Sequence, residues 1–388
     1  MEETEIRKLI GESLTEYGHQ DYLSLKEKEK LGKELFYAIR KLDILQEILE
    51  DEEITEIMIN GPDHIFIEKS GTLYLWENSF SSREKLEDII QQITAKCNRV
   101  VNEASPIVDA RLEDGSRVNI VLRPVALNGP VMTIRRFPKE PVNMKKLIEI
   151  GSLTAETAKW LELLVRAGYN ILISGGTGSG KTTFLNALSD YIPREERIIT
   201  IEDSAELQIQ NAPNLVRLET RNANAEGCEE ITIRDLIRTS LRMRPTRLII
   251  GEVRGGEAVD LLQCLNTGHD GSLSTAHANS ARDMLSRLET MALMGLDLPV
   301  SAIRRQIASA IDIIIHLGRL RDKTRKVLEI AEVAGMDGEE IRLETLCIFE
   351  ETSENQRKEV TGQLVFKKEL SFKQKLKAAG LPDLPSLS

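Results

Sequence analysis

Between Asn170 and Thr183 the chain reads NILISGGTGSGKTT, with four residues separating Gly175 from the triplet Gly180, Lys181 and Thr182. Glycines at this spacing let successive backbone N–H groups turn inward onto an anion, and a helix starting at Lys181 adds the positive end of its dipole. Gly175, Gly176, Thr177, Gly178, Ser179, Gly180, Lys181, Thr182 and Thr183 are therefore expected to cradle the phosphates of a nucleoside triphosphate. Lys181 is placed to reach the β- and γ-phosphates, the Thr182 hydroxyl suits Mg²⁺, and Thr183 falls near the α-phosphate.

Three further clusters carry ionisable groups at the ends of apolar runs. TIEDSAEL (Thr200 to Leu207) holds Glu202, Asp203 and Glu206, and RLIIGEVRG (Arg247 to Gly255) holds Glu252. TGHDGSLSTAHANS (Thr267 to Ser280) sets His269 and His277 on either side of a short apolar stretch. Magnesium-dependent hydrolysis needs one carboxylate near the metal's water shell and another to orient the attacking water. Glu252 and Glu202 are the expected pair, Glu252 reaching Mg²⁺ through water, with Asp203 and Glu206 as alternatives to Glu202. A histidine beside the γ-phosphate can sense or neutralise developing charge. His277 is the first choice and His269 the second.

The pattern around these residues is α/β. Residues 1–53 repeat apolar positions at helical spacing, through Leu31, Leu35, Ile39, Leu42, Leu45 and Leu49, and read as an acidic helical appendage. Alternating runs around Ile57, Ile65 and Leu73 are separated by turn residues and read as a meander. Ser81 and Glu84 have capping-box spacing ahead of a helix through Leu86, Ile89, Ile90, Ile93 and Cys97. Strands are expected again at Val118–Leu122 and Val131–Arg135, giving a small N-terminal α/β domain over 54–137. Two prolines in Phe137–Pro141 suggest a linker over 138–149. From 150 to 334 strand and helix patterns alternate, which implies a parallel sheet covered by helices. Val327–Val333 and Ile341–Ile348 read as a hairpin, so 335–388 forms a C-terminal hairpin and tail. The basic run Arg238, Arg242, Arg244 and Arg247 reads as a solvated helix face or a subunit contact.

Taken in order, these boxes resemble the type II/type IV secretion ATPase superfamily, and within it the CpaF-like branch of Flp/Tad pilus assembly. The resemblance extends to NGP (Asn60 to Pro62), PIVDARLEDGSRVN (Pro106 to Asn119), NGPVMTIRRF (Asn128 to Phe137), LRMRPTRLIIGEVRGGEA (Leu241 to Ala258) and QIASAIDIIIHL (Gln306 to Leu317). GLPDL (Gly380 to Leu384) also fits that branch. Thr246 departs from it, standing where Asp is common. The resemblance implies a RecA-like P-loop core, ATP and Mg²⁺ as ligands, and a homo-hexameric ring that engages an inner-membrane platform protein. It also implies that basic residues of the N-terminal domain close over the phosphates, with Arg117 and Arg135 as candidates and Arg136 in the same stretch.

Composition bounds what else is possible. Net charge is −11, and residues 1–53 alone hold 15 acidic and 8 basic residues, so the remainder is nearly balanced. Nucleic-acid binding, the mark of a translocase or recombination ATPase on the same core, is not expected from so acidic a chain with 4% aromatic residues. The retained acid Glu252 argues against a scaffold that binds nucleotide without hydrolysing it. Cys97, Cys228, Cys264 and Cys347 show no metal-ligand spacing and read as reduced thiols. Without an apolar run of about 20 residues or a secretory leader, the expectation is a cytoplasmic protein, peripheral to the membrane through its partners.

Overall fold

The computed structural model describes residues 3–17, 23–69, 71–97, 99–112, 114–136, 141–221, 229–354 and 360–383. Contacts divide the chain into two units, Met1–Lys139 and Glu140–Ser388.

The first unit opens with α1 (Glu3–Tyr17) and α2 (Leu25–Arg40). They meet over Ile6, Ile10, Phe36 and Tyr37. Ser24 caps α2 with its hydroxyl on Glu27 N, and the Glu27 carboxylate returns to Ser24 N, so two orphan donors are satisfied at once. Next come α3 (Leu45–Glu50), β1 (Ile54–Asn60), β2 (Ile65–Lys69), β3 (Thr72–Leu75), α4 (Arg83–Lys96), β4 (Ile107–Arg111), β5 (Arg117–Val121) and β6 (Val131–Arg135). Their order in one antiparallel sheet is β3-β2-β1-β6-β5-β4. Leu45 and Ile48 of α3 belong to the same core as the sheet and α4, so α3 is part of the α/β unit and not of a separate appendage ending at 53. The cap of α4 is Ser82, which accepts from Lys85 N, one residue later than the Ser81 expected from spacing.

The second unit begins with α5 (Met144–Glu149), whose Met144 and Leu147 are buried in its core. The expected linker over 138–149 is thus helix in its second half, 144–149, and its residues 138–140 lie outside the described ones. After α6 (Ala155–Arg166), strands and helices alternate through β7 (Ile171–Gly175), α7 (Lys181–Ser189), β8 (Ile198–Glu202), β9 (Leu215–Glu219), α8 (Ile233–Ser240), β10 (Arg247–Ile250), α9 (Ala258–Leu265) and β11 (Leu273–Ala276). Helices α10 (Ala281–Gly295) and α11 (Val300–Ala310) lead to β12 (Ile313–Arg319), β13 (Arg325–Asp337), β14 (Glu340–Glu354), β15 (Val360–Phe366) and α12 (Gln374–Ala378). The sheet order is β15-β14-β13-β12-β7-β11-β10-β8-β9. Pairing is parallel from β12 to β9 and antiparallel from β12 to β15.

One apolar cluster, drawn from α8 to α11, covers one face of this sheet. Another, from α5, α6, α7 and α12, covers the other. A parallel strand covered on both faces reads as a continuous apolar run without alternation. β12, the IIIHL stretch that follows α11 with no Gly or Pro between them, was not foreseen as a strand, and neither was β9. The hairpin is longer than expected and gains β15, and the boundary at 334 falls inside β13.

Arg247 is not a solvated charge. It is 3% exposed, its Nε and Nη2 lie 2.5 and 2.7 Å from the two oxygens of Glu196, and its Nη1 donates to Val165 O and Gly271 O. Arg238 pairs with Asp260, while Arg242 and Arg244 are exposed. Thr246 exchanges backbone and hydroxyl hydrogen bonds with Arg197, so the residue at this departure from the family pattern is used to join β8 and β10 at their roots. Among the described residues no helix is long and apolar enough to cross a membrane, and Cys97, Cys264 and Cys347 are free thiols. Cys228 lies outside the described residues.

Candidate active site

The phosphate loop leaves the C-terminal end of β7, whose five residues are all buried. Gly175 must lack a side chain: a Cβ there would come within 2.5 Å of both Leu317 O on β12 and Ser179 Oγ. The loop is thus seated directly on the neighbouring strand. Gly180, at φ 92°, turns the chain into α7 from the left-handed region that glycine adopts without strain. α7 then begins at Lys181, as the spacing requires.

Lys181 Nζ donates to Gly175 O and Gly176 O, each at 3.1 Å, and lies 3.2 Å from His277 Nδ1. His277 follows β11, the strand beside β7, and its Nε2 is 2.9 Å from Glu252 Oε1. Glu252 stands in the loop after β10, which is fastened to β11 through Thr275 Oγ1 to Gly251 O and Val253 N to Thr275 O. Its Oε2 accepts from Arg254 Nη2 at 2.7 Å. Oε1 is buried and, despite its closeness to His277, lies off the direction of a hydrogen bond, so it has no donor among the described residues. Three separately predicted residues, Lys181, His277 and Glu252, are therefore gathered at the ends of three adjacent strands.

Burial holds Lys181 below the usual lysine range, opposed by Glu252. Burial also lowers His277, with Lys181, Arg254 and Arg287 reinforcing it against Glu252, so the imidazole is neutral at pH 7. Arg254, raised chiefly by its hydrogen bond to Glu252, also comes within 3.8 Å of Asp203. Sequence reasoning gave Arg254 no role; its one signal is its place two residues after the strand-end acid.

Glu202 is the last residue of β8 and is 2% exposed. Oε1 accepts from the backbone N–H groups of Glu206 and Leu207 at 2.8 and 2.9 Å, while Oε2 is buried with no donor among the described residues. Its Cγ would lie 3.0 Å from a Cβ on Gly251. Glu202 thus folds the 203–207 turn and packs under the Glu252 loop, and no direct contact joins it to Lys181 or His277. Burial raises its pKa from 4.5 to about 7 against the two backbone hydrogen bonds. Between those values the folded chain holds a proton that the unfolded chain has lost, so stability should fall as pH rises from about 4.5 to 7, by roughly 3 kcal/mol in total. Glu202→Gln cannot ionise. Urea unfolding at pH 5 and pH 8 should therefore show this decline in the wild type and not in the variant; equal pH dependence would remove the buried carboxyl as its source.

His269 does not join the site. It precedes β11, at the edge of the sheet opposite the phosphate loop, with Nδ1 3.3 Å from Cys264 O. Two histidines flanking a four-residue strand necessarily fall at its two ends, and only the C-terminal one faces the loop after β7 in a parallel pair.

In the first unit, Arg117 on β5 stands opposite Arg135 on β6, and Arg111 on β4 stands opposite Arg117. Directly opposed residues share one face, so three guanidinium side chains form a row across three strands. Arg136 is instead spent on structure, donating to Asp51 O and Ile54 O.

The donor set fits Mg²⁺ held jointly with nucleotide phosphates. Glu252 Oε1 is a buried carboxylate oxygen lacking a donor, and Thr182 lies next to Lys181 in the first turn of α7. Among the described residues no group of three or more His, Cys, Asp or Glu could hold a metal alone.

Comparison with known proteins agrees with this geometry. A family model described as Type II/IV secretion system protein matches residues 39–375. A Mycobacterium tuberculosis protein described as a candidate conjugal transfer protein is 35% identical over 302 residues, covering 76% of this chain and 85% of its own. The type IV secretion system protein PtlH of Bordetella pertussis is 34% identical over 315 residues, covering 74% of this chain and 93% of its own. The crystal structure of the pilus retraction motor PilT with bound ADP superposes with a TM-score of 0.55 at 21% identity, covering 88% of this chain and 86% of that one, which shows a shared RecA-like fold. A match over most of its length, around an intact phosphate loop faced by a strand-end carboxylate, means that the chain belongs to the type II/IV secretion system protein family and is an ATPase.

Proposed function

We propose that the chain is a Mg²⁺-dependent, ring-forming motor that converts ATP hydrolysis into assembly of a pilus or secretion machine, of the Flp/Tad type, at the inner face of the membrane. The observation that carries this reading is the convergence of Lys181, His277 and Glu252 on the phosphate loop. In it, Glu252 orients the attacking water, Lys181 and the loop N–H groups hold the phosphates, and neutral His277 spans Lys181 and Glu252 so that both keep their places. Mg²⁺, bound by Thr182 and through water by Glu252, would neutralise phosphate charge. Glu202 supports the Glu252 loop from below. Arg117 and Arg135, which stand opposite each other on β5 and β6, are the basic residues to which this reading assigns added positive charge.

The relatives' descriptions speak of conjugal transfer, secretion and pilus retraction, and it is from those words that the transport role is drawn. The ring is homo-hexameric, and its partner is a platform protein of the inner membrane. The low aromatic content and acidic balance support a protein partner over nucleic acid.

Light scattering coupled to size exclusion, with phosphate release measured on the same fractions, tests the ring. A species of six times the 43.6 kDa chain mass should carry the turnover. A monomer with full turnover would refute it.

A further inference from the structure

The phosphate loop is gripped from one side by β12, β13 and the turn between them. At its root, Ser174 Oγ lies 2.9 Å from His316 Nδ1 and Gly175 packs against Leu317 O, so two consecutive residues of β12 fix the last two residues of β7. Further along the loop, Arg325 Nε donates to Gly178 O at 2.8 Å, and Arg325 Cδ lies where a Cβ on Gly180 would come within 3.3 Å of it.

Arg325 is itself held in place. The Asp322 carboxylate accepts from Thr324 N, Thr324 Oγ1 and Val360 N, which closes the β12–β13 turn, and Arg325 O accepts from Ser152 Oγ. The arm that reaches Gly178 therefore starts from a fixed backbone at the first residue of β13.

The bond to Gly178 O decides the direction of one peptide. The Gly178–Ser179 peptide is trans, so its C=O and N–H point opposite ways. With the carbonyl drawn out to Arg325, the Ser179 N–H is turned into the loop, 3.3 Å from Gly176 O, the oxygen that also accepts from Lys181 Nζ. Inward N–H groups are what an anion-binding loop offers, whereas an inward carbonyl would repel phosphate. Gly178, at φ 71°, has no Cβ, so little within the residue itself opposes the reversed orientation.

We propose that Arg325 is a positioning residue for ATP hydrolysis: its Nε holds Gly178 O outward and so presents the Ser179 N–H to a phosphate oxygen, the hydrogen bond and not the charge being what the nucleotide requires. The proposal rests on the reading of Gly175–Thr183 as a triphosphate site. It makes the geometry of that loop depend on a side chain from β13, far from the loop in sequence.

Two variants of equal reach separate donor from charge. Arg325→Gln keeps an amide N–H at the chain position of Nε without the charge, and Arg325→Met puts a methyl group there with neither. Arg325 is exposed, so both variants should melt at the temperature of the wild type. By titration calorimetry Arg325→Met should bind inorganic tripolyphosphate about fivefold more weakly than the wild type, the effect of about one net hydrogen bond, and Arg325→Gln within about twofold of it. KM for MgATP should rise in Arg325→Met and return in Arg325→Gln. Wild-type affinity in Arg325→Met overturns the proposal. Equal weakening in the two variants also overturns it, because the charge would then be what matters. If the wild type binds neither tripolyphosphate nor ATP, the triphosphate reading itself fails and takes this proposal with it.

Discussion

Glu252→Gln is expected to bind nucleotide about as tightly as the wild type while turning ATP over about 10²- to 10⁴-fold more slowly, the range by which a positioned acid or base accelerates reaction. The amide preserves the shape of the carboxylate in its loop, so the ties from Thr275 and Val253 that hold this loop to β11 are undisturbed. What disappears is the negative charge between His277 and Arg254, together with the buried oxygen Oε1, which has no donor among the described residues. Arg254 loses its ion-pair partner, but its side chain is 63% exposed, and solvent screens the loss. The fold should therefore survive and binding should persist. Phosphate release measured beside equilibrium titration with a fluorescent nucleotide separates the two effects. Intact binding with unchanged turnover would take Glu252 out of the chemistry.

Much of this site was readable from residue spacing, and the part that was not failed for physical reasons. The phosphate loop is a local device whose glycines, lysine and hydroxyl act through the backbone of one continuous segment, so spacing alone specifies it. Glu252 and His277 were found because each stands at the end of a short apolar run, where an α/β sheet presents its ligand-facing residues. His269 met the same rule at the wrong end of β11, since a loop histidine carries no mark of strand direction. Arg247 looked like one of several surface arginines because its partner, Glu196, is remote in sequence and only the pairing of β8 with β10 brings the two together. Arg136 similarly finds its acceptors at Asp51 and Ile54, across the sheet from its own strand. β12 was hidden because its apolar run follows α11 with no Gly or Pro between them to mark a boundary. With β12 hidden, so was the hold that His316 and Arg325 keep on the phosphate loop.

Lys181→Ala should have the other large effect. Lys181 is buried at the floor of the loop, its ammonium fixed by Gly175 O and Gly176 O. Preorganised donors of this kind typically contribute about 10²- to 10³-fold to turnover when one is removed, and a charge-assisted hydrogen bond lost from the bound state weakens binding by about 1.5–3 kcal/mol. Its neighbour His277 is neutral and cannot replace the lost charge. The claim that this loop is where the chain binds and hydrolyses ATP is tested most directly by phosphate release from saturating MgATP, wild type beside Lys181→Ala. The account predicts turnover by the wild type and a loss of at least about 10²-fold in the variant. Equal rates in the two proteins would contradict it.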